Sequence, residues 1–175
     1  KEGYRATGIA AIAKKVGVTK PVLYHHFKDK DDLILQTLRH MSEKTKQGYI
    51  AGWQRKPTGS KEKLTVLFDE IHDFFKEPEC YGCPFVNAAS EYTDIHHPVR
   101  AICAAHFKFV TEHLEEYARA AKIIKAKLLA ENLTTLIIGA YSAFQAAHIR
   151  DSAVQNKKIA EALIESYTAK KINKN

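Results

Sequence analysis

Apolar residues recur at intervals of three and four through most of this chain, and this spacing is the strongest constraint on its fold. Ile34, Leu38 and Met41 form part of one such stripe, and similar stripes follow along the chain. The five prolines and eight glycines fall mostly between these periodic stretches. The sequence contains no stretch of alternating apolar and polar residues, the pattern that would predict a strand. The sequence therefore predicts an all-α protein.

The first forty residues predict two short helices joined by a tight turn and followed by a long helix. The first helix covers residues 7–15, with Thr7 as its N-cap, and Gly17 ends it because glycine enters the left-handed region at low cost. The second covers residues 19–27, with Pro21 in its first turn. The long helix starts at Lys30 and is capped by Asp29. Two short helices around a glycine turn are typical of a helix-turn-helix.

Positive charge is concentrated in this same region. The chain has a formal net charge of +7 and a pI of about 9.2. Residues 1–40 contain eight Lys and Arg against four Asp and Glu. A basic segment of this kind favours a polyanionic partner such as DNA.

Five more helices are predicted after the long one, over residues 60–75, 85–93, 98–117, 126–149 and 156–171. Residues 133–147 are apolar on nearly every side, so this helix must be covered on two faces. One cover is the domain core. The other cover is either a second subunit or further helices of a single bundle. The first alternative predicts a homodimer through the last two helices. Residues 132–149 carry no formal charge but are too polar and too short for a membrane span.

The N-terminal residues closely resemble the DNA-binding domain of the TetR family of transcription regulators. The matching residues are Gly3 to Thr7, Ile9 to Lys20, Leu23 to Phe27, Lys30 and Leu33. The resemblance implies an all-α fold, with a TetR-like helix-turn-helix DNA-binding domain and a C-terminal helical ligand-binding and dimerisation bundle. The predicted domains are residues 1–36, which lack the first helix of the family, and residues 37–175.

The resemblance also assigns roles to residues of the helix-turn-helix. Its small core would contain Ile9, Ile12, Ala13, Val16, Val18, Leu23 and Phe27. Four residues, Thr7, Tyr24, His25 and Lys30, would hold the DNA backbone, and four others, Thr19, Lys20, Pro21 and Val22, would face the bases. Phosphate contacts position such a protein and base contacts specify the sequence. Tyr24 could instead be a packing residue.

A looser resemblance continues through the C-terminal region, where residues 82–92 and 97–100 are similar to a common subgroup of the family. In such proteins an apolar cavity lies among the middle helices. The candidate lining residues are Trp53, Phe68, Ile71, Phe75, Phe85, Asn87, Phe107, Tyr141 and Gln145. Aromatic walls with few polar groups suit a small apolar or aromatic ligand, although each side chain could equally be plain core. The resemblance implies a repressor that binds a palindromic operator as a dimer and is released by its ligand.

Other chemistries have weaker support. Cys80 and Cys83 form a C-x-x-C at a predicted helix start, a position that lowers thiol pKa, so a thiol-based redox or electrophile sensor is the alternative. Three cysteines do not make a secreted disulfide framework, and the expected location is the cytoplasm. His106 and His113 lack metal-ligand spacing, and no nucleophile elbow or phosphate loop occurs. We therefore expect no enzyme activity, no cofactor and no metal.

Overall fold

The computed structural model describes residues 2–55 and 59–169, and within them it contains eight α-helices and no strand. The helices are α1 (Ile9–Val16), α2 (Lys20–His26), α3 (Lys30–Arg55), α4 (Val66–Phe74), α5 (Pro84–Glu91), α6 (Pro98–Ala120), α7 (Ala126–Ala147) and α8 (Ser152–Ala169). This confirms the predicted all-α fold. The chain divides into two compact units, which are described separately below.

The first unit contains residues up to Thr45 together with Cys83–His106. It therefore holds α1, α2, the first part of α3, α5 and the start of α6. Gly17 caps α1 in the left-handed region at φ 75°, and α2 follows directly with Thr19 as its N-cap. Asp29 caps α3 as predicted, because its carboxylate accepts the backbone N–H of Asp32 at 2.8 Å. These local caps turn residues 9–30 into a helix-turn-helix.

The core of this helix-turn-helix is smaller than the sequence predicted. Ala13 and Leu23 are buried, and Ile9, Ile12 and Phe27 are half-buried. Val16 and Val18 remain 59% and 37% exposed, so their prediction as core residues is wrong. Both flank Gly17, where the left-handed cap turns the chain outward.

The second unit contains Lys46–Gly82 and the chain from Phe107 onward. Its centre is α7, which packs against α8, while α8 also packs against α4. Asn156 of α8 donates to the Leu136 carbonyl of α7 at 2.8 Å, and Ser152 donates to the Ala140 carbonyl at 2.8 Å. Side-chain bonds to the α7 carbonyls thus add to the apolar contacts between the two helices.

Two predicted helix boundaries are corrected. The helix predicted over residues 60–75 is a short 3-10 helix, Glu62–Leu64, followed by α4 from Val66. Thr65 joins the two pieces with φ −110° and ψ −5°, outside regular helix geometry. The last helix begins at Ser152, four residues before its predicted start, and its predicted end at residue 171 lies outside the described residues.

The uncharged stretch around α7 is not long and apolar enough to cross a membrane, and neither is any other helix in residues 2–55 and 59–169. Its side chains account for much of the buried apolar surface of the second unit, including Leu129, Leu133, Ile137 and Phe144.

Candidate nucleic-acid interface

Leu23 is the one buried residue of helix α2, at 8% exposure, and anchors the helix to the rest of the unit. The predicted DNA contacts on this helix and its cap are all exposed: Thr19, Lys20, Pro21, Val22, Tyr24 and His25. Val22 and Tyr24 are 44% and 53% exposed, which leaves two large apolar or aromatic side chains in solvent. The structure thus brings six of the eight predicted DNA contacts onto one short helix and its cap.

This surface has the charge that DNA requires. The first turn of α1 and of α2 contains no acidic residue, and Lys14 and Lys15 lie in the last turn of α1. Lys20 is the first residue of α2 and is exposed. Thr19 caps α2 without a side-chain hydrogen bond to the helix, so capping does not engage its hydroxyl. Such an edge can donate to phosphate oxygens and to base edges.

Thr7 lies outside the helix that it was predicted to cap. Helix α1 begins at Ile9 with Gly8 as its N-cap, and the Thr7 hydroxyl instead donates to the Gly3 carbonyl at 2.6 Å. The N-cap prediction for Thr7 is therefore wrong, because its side chain closes the preceding turn. The phosphate contact of Thr7 stays a prediction.

Lys30 occupies the first position of α3, as predicted, but its ammonium group is already engaged. Its Nζ donates to the backbone carbonyl of Arg5 at 2.5 Å. The side chain is half-buried and lines a polar cavity of about 300 Å³. The other lining residues are Arg5, Asp31, Tyr92, Thr93, Asp94 and His97. An ammonium has three donors, so contact with a phosphate remains compatible with this bond.

The predicted ligand-lining residues are divided between the two units. Phe85 and Asn87 belong to the first unit, whereas Trp53, Phe68, Ile71, Phe75, Phe107, Tyr141 and Gln145 belong to the second. In the first unit Phe85 is buried and stacks on the buried His106 ring, with centroids 3.7 Å apart, and His106 Nδ1 lies 3.3 Å from the Ser42 hydroxyl. Phe85 is thus already packed within its own unit.

Two aromatic groups form in the second unit. Trp53 is fully buried, stacks on His113 at 5.3 Å with ring planes 5° apart, and meets Tyr117 edge-on. Phe75 is fully buried, stacks on Phe144 at 4.2 Å and meets Tyr141 edge-on.

The two groups are connected through tyrosine hydroxyls. Tyr49 packs beside Trp53, and its hydroxyl lies 3.4 Å from the Tyr141 hydroxyl. Burial raises the pKa of the Tyr117 phenol above its usual range. The Trp53 Nε1 donor is buried and has no hydrogen-bond partner among the described residues. A buried N–H without a partner is costly and uncommon.

Sequence reasoning missed four members of these aromatic groups: Tyr49, His113, Tyr117 and Phe144. His113 and Tyr117 are four positions apart in α6, on one helical face, so their shared stripe was a usable signal. Nothing local indicated that this face meets Trp53, because the two side chains come from different helices.

The cysteines do not have the environment of reactive thiols. Cys80, Cys83 and Cys103 are all free. Burial raises the pKa of Cys83 to about 11, although the backbone amides of Val86 and Phe85 at the start of α5 act in the opposite direction. Burial also raises the pKa of Cys80 and of Cys103. The expectation that a helix start would lower the Cys83 pKa is therefore wrong, because loss of hydration outweighs the helix amides.

This environment predicts slow alkylation of Cys83. With a pKa of about 11, roughly one thiol in ten thousand is ionised at pH 7, and only the thiolate reacts. Treating native protein with iodoacetamide and mapping the adducts by mass spectrometry is expected to show little Cys83 labelling at pH 7 and a rate that rises with pH towards 11. Urea-unfolded protein serves as the control in which all three cysteines react. Rapid labelling of native Cys83 at pH 7 would contradict this result.

Within the described part of the chain, no group of three or more His, Cys, Asp or Glu side chains could hold a metal ion.

An all-α chain with an exposed, basic helix-turn-helix is the form of a DNA-binding regulator, and comparison with known proteins identifies its family. Residues 1–37 match "Bacterial regulatory proteins, tetR family", and residues 60–165 match "Tetracyclin repressor-like, C-terminal domain". The chain belongs to the TetR family of DNA-binding transcription regulators. The predicted family is confirmed.

Individual relatives agree with this assignment. The transcriptional activator FasR of Mycolicibacterium smegmatis is 34% identical over 74 residues, which cover 42% of this chain and 33% of FasR, so the chain spans about a third of that relative. The transcriptional regulator BetI of Brucella anthropi is 27% identical over 167 residues, covering 92% of this chain and 80% of BetI.

Solved structures confirm the fold. A TetR-family regulator from Streptomyces coelicolor superposes with a TM-score of 0.86 at 25% identity, covering 94% of this chain and 86% of that one. The reduced form of Escherichia coli NemR superposes with a TM-score of 0.83 at 15% identity, covering 92% and 88%, and shows likeness of fold alone.

Proposed function

We propose that this protein binds a palindromic DNA operator as a homodimer, represses transcription there and is released by a small apolar or aromatic ligand. The observation that carries the proposal is the exposure of α2 and its cap, where Thr19, Lys20 and Val22 lie outside the unit's core. In a helix-turn-helix this second helix enters the major groove. Two such helices in a dimer reach successive grooves when they lie about 34–36 Å apart. Its place of action would be the cytoplasm, where bacterial DNA lies.

The site assignments belong to this proposal. Thr19, Lys20, Pro21 and Val22 face bases, while Thr7, Tyr24, His25 and Lys30 hold the backbone. Residues 1–36 act as the DNA-binding domain and residues 37–175 as the sensing and dimerising domain.

Dimerisation through α7 and α8 is supported by apolar side chains that these helices leave in solvent. Leu128 of α7 is 45% exposed and Ile159 of α8 is 53% exposed. Both helices pack against each other, so the proposed interface would cover these two side chains together. We expect a second copy of the same chain at this interface, because an operator with two-fold symmetry is bound by two identical subunits.

The ligand is supported by the aromatic groups of the second unit. Rings from Trp53, Tyr49 and Tyr117 offer apolar contact, and the buried Trp53 Nε1 lacks an acceptor among the described residues. An apolar molecule that carries one hydrogen-bond acceptor would satisfy both features. The thiol-sensor alternative has no such support, because the raised thiol pKa values oppose it.

The dimer is tested by placing a charge at its proposed interface. Ile159→Asp is expected to shift the protein from dimer to monomer in sedimentation velocity at micromolar concentration, because an unpaired carboxylate would be buried between subunits. Ile95→Asp is the matched control, since Ile95 is 70% exposed in the first unit and lies on neither helix. A monomeric unmodified protein, or an Ile159→Asp dimer as tight as the control, would refute the proposed interface.

Operator binding is tested with duplexes selected from a random pool by the unmodified protein. We expect selected sequences with two-fold symmetry and an affinity that falls steeply with salt, because cations that contact phosphates displace counterions. A reporter gene placed behind the selected sequence then distinguishes repression from activation. Selection of unrelated sequences without symmetry would count against the dimeric operator.

A further inference from the structure

The carboxylate of Glu91, in the last turn of α5, receives two successive backbone amides from the N-terminal segment. Tyr4 N donates to Oε1 at 2.9 Å and Arg5 N donates to Oε2 at 2.8 Å. Arg5 Nη1 also lies 3.4 Å from the Glu91 carbonyl, and the Tyr4 hydroxyl lies 3.3 Å from the carbonyl of Pro84 at the start of α5. Both oxygens of one ionised side chain are therefore committed to one stretch of backbone. Bonds of this charge-assisted kind are among the stronger ones in proteins.

Gly3 is shaped to admit this carboxylate. Its φ is +85°, a conformation that residues with a side chain rarely adopt. A Cβ atom at this position would lie 2.7 Å from Glu91 Oε1, which is closer than real Cβ contacts allow. The backbone conformation and the missing side chain thus both serve the approach of Glu91.

The same segment is held from its other side and leads directly into the helix-turn-helix. Lys30 Nζ, at the start of α3, donates to the Arg5 carbonyl at 2.5 Å. The Thr7 hydroxyl closes the turn onto the Gly3 carbonyl, and α1 begins two residues later. Within this unit, the start of α1 is therefore tied to α5 by Glu91 and to α3 by Lys30.

We propose that Glu91 is a positioning residue for DNA recognition. Its carboxylate holds residues 3–7 in place and so fixes the orientation of α1 and α2 for the duplex, without touching DNA itself. This role rests on the DNA-binding activity of the family and is independent of the proposed ligand.

The direction in which Glu91→Gln changes the affinity for DNA distinguishes a positioning role from a purely electrostatic one. Glu91→Gln removes a negative charge near a DNA-binding surface, which by charge alone would leave binding unchanged or tighten it. It also places an amide donor opposite a backbone N–H, which breaks one of the two bonds. We expect roughly tenfold weaker binding to the selected duplex, the equivalent of one lost charge-assisted bond. Glu79→Gln is the control that removes the same charge at an exposed carboxylate of the other unit.

Gly3→Ala provides the second variant. Its Cβ would push Glu91 away, and alanine is also strained at a φ of +85°, so this variant is expected to weaken binding by at least a similar factor. Gly3→Ala alone also keeps the test open if Glu91→Gln fails to fold.

Amide exchange measured by NMR shows whether the contact itself is lost. In Glu91→Gln the amides of Tyr4 and Arg5 should exchange faster, while those of Leu38 in α3 and Cys103 in α6, which are buried in the same unit, stay protected. That pattern excludes unfolding of the DNA-binding unit as the cause of weaker binding. Faster exchange at these two amides with unchanged or tighter DNA binding would overturn the proposal. In that case the unmodified protein still binds its duplex, so the proposed function would stand.

Discussion

Replacing Phe75 with alanine is expected to lower the free energy of unfolding by about 3–5 kcal/mol, the usual cost of removing a buried phenyl ring. Phe75 has no exposed surface, stacks on Phe144 at 4.2 Å and meets Tyr141 edge-on at 5.5 Å. Removal of the Phe75 ring would leave a cavity beside the rings of Tyr141 and Phe144, both of which are held by α7. Aromatic pairing adds to the loss beyond the buried area.

The measurement is urea unfolding followed by tryptophan fluorescence. Trp53 is the only tryptophan of the chain, is fully buried and belongs to the same unit as Phe75, so its emission reports unfolding of that unit. Phe74→Ala is the matched control, because the neighbouring ring is 39% exposed and should cost far less. Equal losses for the two variants would show that Phe75 is not the packing centre the structure describes.

Replacing Lys20 with alanine is expected to weaken binding to the selected duplex by about 1–3 kcal/mol and to relax sequence preference at one position. Lys20 is the first residue of α2 and is exposed. A lysine there can donate to guanine acceptors in the major groove. Tyr24→Ala and Lys30→Ala are expected instead to weaken all duplexes alike, because backbone contacts carry no sequence information.

Fluorescence anisotropy with the selected duplex and its single-base-pair variants measures both effects. Lys44→Ala is the control, since Lys44 is an exposed lysine of α3 within the same unit. Its loss changes the net charge by the same amount as Lys20→Ala. If the two lysine variants bind every duplex alike, the proposed role of Lys20 in sequence recognition is wrong.

The helix-turn-helix could be predicted almost to the residue because its determinants are local. Gly17, Thr19 and Asp29 act through bonds to residues within a few positions, and each was placed at the correct end of a helix. The outward placement of the DNA contacts on α2 was implied by the resemblance to the family, and all six residues are exposed. Where local signals competed, as at Thr7, the prediction was wrong, because its hydroxyl found the Gly3 carbonyl instead of a helix amide.

Contacts between distant parts of the chain could not be predicted. Tyr4 and Glu91 are 87 positions apart, and no periodicity indicates that a turn near residue 4 meets the end of α5. The pKa of Cys83 went in the opposite direction to the one predicted, because burial is decided by the packing around the thiol and not by its position in a helix.

The order of the helices and the caps at Gly17, Thr19 and Asp29 were thus determined by the sequence itself, because helix periodicity and capping act over one or two turns. The partners of Glu91, the stacking of Trp53 on His113 and the hydration of the cysteines were decided only by the tertiary structure. Each of these depends on which helix faces meet, and that choice is made by the packing of the whole unit at once.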